Sequence, residues 1–219
     1  MNITRSLIVA GGFVLASVAA GVWGQVNLPA DAFLAYHRGF GDPATAHLPK
    51  AYALALMPAI SALVVFCLAI APRRSPNPEG LERSTLPYGM LIVGLAGVFF
   101  VTQIALVERM MNAGFDVLRM VFLSVGVLLL VLGNDLGKVR HNRVFGVRTP
   151  WTLKDPRVWD KTHRYTGRLM VLAGLILTAG CLLTANSQIL IALVVLCAAL
   201  PPLMGMGYSR RVFRREHQA

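Results

Sequence analysis

Six apolar runs constrain this chain more than any other feature: about Ser6–Gly24, Ala51–Ala71, Leu86–Val107, Val117–Gly133, Arg168–Thr184 and Gln188–Tyr208. A helix rises about 1.5 Å per residue, so roughly 17–25 such residues cross the ~30 Å hydrocarbon layer of a bilayer. No water reaches that layer, and every backbone N–H and C=O must be satisfied within the segment, which leaves helices as the economical solution. The expected fold is all-α, a polytopic membrane protein with six transmembrane helices. Composition agrees: 56% of the 219 residues are hydrophobic and 14% charged, with a mean hydropathy of +0.62, outside the range of soluble domains. The first run has a second reading as a cleaved signal peptide, since Arg5 precedes it and small residues follow around Ala16–Gly24. Removing it would invert the charge balance described next, so it is read as a retained span.

A formal net charge of +11 raises nucleic acid or anionic lipid as partners. The cations are not spread evenly, however. Seventeen of the 21 Lys and Arg fall on one side of the expected membrane: Arg5, three between spans two and three, nine from Lys138 to Arg168, and four after Tyr208. Arg38, Lys50, Arg109 and Arg119 make up the other side. The positive-inside rule then puts both termini, the 72–85 loop and the 134–167 loop in the cytoplasm, with 25–50 and 108–116 outside. The charge is an orientation pattern, and with no helix-turn-helix or stacked aromatic platform, no direct nucleic-acid contact is expected. Cys67, Cys181 and Cys197 all lie in apolar runs without ligand spacing, and are read as packing residues rather than a disulfide or metal site.

Within the spans, Gly12, Ala16, Ala20 and Gly24 recur every fourth residue, a small-residue face for close helix packing inside the chain or in a homo-oligomer. Pro58 is expected to kink span two, and Pro201–Pro202 to break or sharply bend span six. Broken helices and the intramembrane Thr102–Gln103 pair motivate one alternative function, transport of a small or amphipathic substrate. Their plainer reading is a pair of kinks and a polar bond to a neighbouring helix. The 72–85 segment, rich in proline, is expected to be a solvated connector.

The longest polar stretch is Asn142–Gly167. Asp155–Pro156 has the form of an N-cap followed by a first-turn proline, starting a surface helix that leads into span five. Helical spacing puts Trp159, Thr162, His163 and Thr166 on one face and pairs Asp160 with Arg164. Upstream, Gly146 permits close backbone approach, Pro150 fixes a turn, and Arg148 offers a planar fork to a carboxylate or phosphate. The competing reading makes Arg148 a partner of lipid headgroups and seats Trp151 and Trp159 in the interfacial aromatic belt. Enzyme signatures are missing: there is no GxSxG elbow, Walker loop or nucleotide fingerprint. His37 and His47 mark a possible external-loop site without metalloprotease spacing, and no catalytic residue, metal or cofactor is assigned.

Asn142, then Gly146-Val147-Arg148-Thr149-Pro150-Trp151-Thr152-Leu153, Val158-Trp159, Lys161-Thr162-His163-Arg164 and Gly167, closely resemble the signature of the SdpI family of bacterial immunity membrane proteins, over roughly Val131 to Leu183. In the first external loop, Leu28-Pro29, His37, Gly41 and Leu48-Pro49-Lys50 are similar to a domain of unknown function that often precedes it. The implied organisation is an N-terminal two-span region, 1–85, and an SdpI-like four-span region, 86–219. The resemblance implies a multi-pass inner-membrane protein that protects its cell against a secreted peptide toxin and, in the best-known system of this kind, recruits a cytoplasmic transcriptional repressor. Asn142, Gly146 and Pro150 are expected to shape the loop. Arg148, Thr149, Trp151, Trp159, His163 and Arg164 are expected to make its contacts, with Arg148 the ionic anchor and the two tryptophans as packing or interface anchors.

Overall fold

A computed structural model describes residues 3–36, 46–74, 80 and 82–218. Its element order is α1 (Ile3–Asn27), β1 (Phe33–Tyr36), β2 (Ala46–Pro49), α2 (Lys50–Ile70, extended by a 3-10 turn, Ala71–Arg74), α3 (Thr85–Met111), α4 (Val117–Leu136), the short α5 (Pro150–Lys154), α6 (Pro156–Leu183) and α7 (Ser187–Gln218). Among the described residues, six helices are long and apolar enough to cross a membrane, namely α1, α2, α3, α4, α6 and α7. Six crossings would put the start of α1, the end of α7 and the 137–155 loop on one membrane face. With the spread of exposed Ile, Leu, Val and Met along these helices, the molecule is a multi-pass membrane protein whose outer surface is solvated by lipid.

Two structural details bear on the sequence expectation for the spans. The small residues of α1 that pack inside the chain are Ser6, Ala10, Ser17, Gly21 and Gly24; Gly12 is exposed and a Cβ there would meet nothing of this chain within 4 Å. A stripe at every fourth residue drifts around a helix of 3.6 residues per turn, and Gly24 alone belongs to both sets. Pro201 and Pro202 lie inside an unbroken α7, so the expected break is absent: a proline removes one amide donor but leaves its neighbours free to keep the helical path.

Pro58 in α2 is compensated from outside its own helix. Its missing N–H leaves the Leu54 carbonyl without its helical donor, and Gln103 of α3 supplies Nε2 to that oxygen at 3.2 Å. Gly21 of α1 makes room, since a Cβ there would meet Leu54 O at 3.0 Å. Thr102 bonds within its own helix to Val98 O at 2.8 Å.

Two cations outside the cation-rich end, Lys50 and Arg119, cap helices. Lys50 Nζ donates to Gln25 O and Leu28 O at 3.1 and 2.8 Å, and Arg119 Nε to Cys181 O at 2.6 Å. Both satisfy terminal carbonyls at the negative end of a helix dipole.

The tightest seam joins antiparallel α4 and α6 through two facing glycine pairs. A Cβ on Gly133 would sit 2.8 Å from Gly167 O, and one on Gly174 2.8 Å from Gly126 O, so only glycine lets these backbones approach. This seam fixes the start of α6 under the signature loop.

Candidate functional site

The loop after α4 is built by its own polar side chains. Asn142, fully buried, accepts from the N–H groups of Val144 and Phe145 through Oδ1, each at 2.8 Å, and donates Nδ2 to Arg140 O at 2.8 Å. Its amide thus serves three loop backbone groups that no helix or strand satisfies. Ser84, beside the start of α3, accepts from Arg140 N at 2.8 Å and donates to Gly80 O at 2.7 Å, tying the loop to the preceding connector. Phe145 packs on two separate core clusters. Its ring meets Tyr88 of α3 edge-on at 5.9 Å and also packs on the cluster of Leu136, Val139 and Trp159.

His163 clamps the next turn. Gly146 has φ +121°, and a Cβ there would lie 2.2 Å from His163 Nε2, so glycine is required both for the backbone conformation and for the approach. Val147 N–H donates to His163 Nε2 at 2.9 Å. A nitrogen that accepts carries no proton, so the ring is neutral with its proton on Nδ1, which donates to Trp159 O at 2.9 Å. The imidazole stacks on the Trp159 ring with centroids 4.0 Å apart, and the indole N–H donates to Val139 O at 2.8 Å.

The expected face of Trp159, Thr162, His163 and Thr166 is present and wholly buried. Of the two roles expected of Trp159, packing and interfacial anchoring, its burial fits the first, and neither it nor His163 lies on the loop's surface. Both have 0% exposure, because the loop folds back over the first turns of α6 and uses them as its core.

Where the sequence suggests a turn at Pro150 in a stretch unlike a helix, the structure has the short helix α5, started by Thr149 and Pro150. Thr149 is its N-cap, accepting from Thr152 N at 3.2 Å, while Thr149 N–H donates to Thr152 Oγ1 at 2.8 Å, and Pro150 takes the first turn. Thr149 is also buried against α7, its Oγ1 3.1 Å from Ser209 Oγ. Of the remaining expected contacts, Arg148 is exposed, its fork held by one bond from Nη1 to Arg143 O at 2.7 Å. Trp151 is half-buried with the Arg210 guanidinium 6.0 Å from its ring centroid. Arg164 is exposed, and its Nε turns to the Asp160 carbonyl oxygen at 3.4 Å in place of the expected carboxylate pair.

The assembled surface is therefore a rigid loop whose hydroxyls and buried ring are engaged internally, while Arg143, Arg148, Lys154, Arg157 and Arg164 project outward. Such a surface is suited to recognising an acidic group through charge and shape. On the opposite side of the molecule, His47 is exposed, in register with Ala35 in the β1–β2 hairpin, and meets Phe33 edge-on at 4.2 Å. His37 lies outside the described residues.

Sequence reasoning missed Ser84, Phe145, Ser209 and the glycine pairs. Gly126–Gly133 and Gly167–Gly174 carry a legible signal, a seven-residue glycine spacing in each of two neighbouring spans. Ser84 and Ser209 carry none, because their partners Arg140 and Thr149 are remote in sequence.

Comparison with known proteins bears on this same region. Residues 138–205 match the SdpI/YfhL protein family. Immunity protein SdpI of Bacillus subtilis is 37% identical over 78 residues, 36% of this chain and 38% of that protein. The uncharacterized protein YfhL of the same organism is 36% identical over 58 residues, 26% of this chain and 53% of that protein. The chain thus spans between about a third and about half of the length of these relatives. No solved structure matches the chain. Residues 138–205, which hold the loop and the helices that clamp it, are thus the part of the chain that resembles the SdpI/YfhL protein family.

Proposed function

We propose that this chain is a membrane immunity protein that protects its bacterial cell against a secreted peptide toxin. In this reading the toxin is met at the hairpin end or along the lipid-facing helix surfaces, and the signature loop faces the cytoplasm and reports occupancy to a partner there, such as a transcriptional repressor. The observation that carries it is the coincidence of the SdpI/YfhL match with a loop that is internally rigid yet presents Arg148 to solvent. A pre-organised guanidinium loses little freedom on binding, which suits a recognition role. The resemblance to an immunity protein supplies the biological setting.

The test is survival of a toxin-sensitive bacterium expressing the chain, challenged with a family toxin peptide. Arg148→Ala leaves the fold intact, with stability changed by about 0.5 kcal/mol or less, and is expected to reduce protection at equal membrane abundance. Protection equal to the parent would remove Arg148 and the reporting role of the loop. If the parent chain gives none, flux of amphipathic solutes in reconstituted vesicles tests the transport alternative.

A further inference from the structure

We infer that the C-terminal arm of α7, residues 209–217, is a latch on the signature loop, and that its release transmits movement of the membrane helices to that loop. The arm begins where hydrocarbon must end, since Arg210, Arg211, Arg214 and Arg215 are too costly to leave in lipid. The helix nevertheless continues without interruption to Gln218. Ser209, Val212 and Glu216 stand at i, i+3 and i+7 and so share one face. Ser209 and Val212 are buried, whereas Arg211, Arg214 and Arg215 are exposed. The arm is an amphipathic rod lying on the protein.

Its inner face meets the loop and the start of α6 at four points. Ser209 Oγ is 3.1 Å from Thr149 Oγ1. Arg210 lies over Trp151, Lys161 Nζ is ion-paired with Glu216, and His217 Nε2 is 3.9 Å from Asp155 Oδ2. None of the bonds that shape the loop, from Asn142 and His163, involves the arm. The arm also lies beyond the segment shared with the SdpI/YfhL family, which ends at residue 205.

The contacts are of a kind that opens at low cost. Ser209 already donates to Met206 O at 2.6 Å, so toward Thr149 it is the acceptor. The single hydroxyl proton of Thr149 has a second acceptor within reach, Thr152 Oγ1 at 3.2 Å, and departure of the arm strands no donor. The Lys161–Glu216 pair is largely exposed and screened by salt. Upstream, α7 is packed tightly on α6: a Cβ at Gly205 would lie 2.1 Å from Thr166 Oγ1. One stiff helix therefore joins the intramembrane packing to the latch, so a shift of α7 against α6 moves the arm off the loop.

The full-length chain in nanodiscs, followed by amide hydrogen exchange, tests this. Ser209→Ala/Glu216→Lys is expected to speed exchange of amides 147–154 by about tenfold while leaving amides 126–133 of α4 unchanged. Adding Lys161→Glu, which restores the ion pair in reverse, is expected to recover part of the protection. Unchanged exchange at 147–154 overturns the latch, as does equal acceleration in α4, which would make the arm ordinary structure. The use of the latch rests on reading the loop as the reporting element. Exchange accelerated with toxin protection unaltered keeps the latch and removes that reading, whereas unaltered exchange removes the latch whatever protection does.

Discussion

His163 is the residue that converts a polar loop into a fixed surface. One nitrogen accepts from Val147 and the other donates to Trp159 O, so both sides of a fully buried ring are satisfied. His163→Phe keeps the stacking on Trp159 but leaves the Val147 N–H unpaired. It is expected to lower stability by about 1–3 kcal/mol, read as a drop in thermal unfolding temperature in detergent. An unchanged temperature would mean that water replaces the imidazole and that the clamp is dispensable. Sequence made Trp159, Thr162, His163 and Thr166 one face, because helical spacing is local. It left open what that face meets: a tryptophan beside an apolar span has the same signature whether it borders lipid or lies beneath a folded-back loop. Arg148 is exposed and Trp151 half-buried.

Among elements, α2 and α3 illustrate how one span corrects a fault in another. Pro58 orphans the Leu54 carbonyl, and Gln103 answers it. Gln103→Leu is expected to cost about 0.6 kcal/mol, the average measured for interhelical hydrogen bonds in a membrane protein, and no more than about 1.7 kcal/mol, their maximum. In a Pro58→Ala background α2 regains its own amide donor, and the same substitution is expected to cost less. A double-mutant cycle by equilibrium unfolding in mixed micelles reads the coupling, and strict additivity of the two changes would dissociate Gln103 from the proline. The same logic explains why the glycines of α4 and α6 outrank the Gly12 series. A small residue matters only where a partner backbone arrives, as at Gly133 and Gly167, and nothing lies within 4 Å of a Cβ on Gly12.

For the molecule as a whole, crossing by all six apolar helices would put the cation-rich loop, the start of α1 and the end of α7 on one membrane face. We propose from the charge asymmetry that this face is the cytoplasmic one. In a chain with Cys67, Cys181 and Cys197 replaced by alanine, Asn112→Cys is expected to react with a membrane-impermeant maleimide in intact cells, and Arg148→Cys only after permeabilisation. The reverse pattern would turn the molecule over and put the signature loop outside.

The sequence alone determined the number of spans, their approximate limits and the location of the loop. Hydrocarbon thickness and the need to satisfy every backbone group act on local composition, which is written along the chain. Only the tertiary structure decided which face of each helix is inside and which hydroxyls meet. A span apolar all round shows no hydrophobic period, since lipid and a neighbouring helix are equally apolar, so its rotation is set by close packing with partners far away in sequence. Thr149 with Ser209, Ser84 with Arg140, and Gly126 with Gly174 are such meetings, and they turn an exposed-looking signature into a clamped surface with Arg148 at its edge.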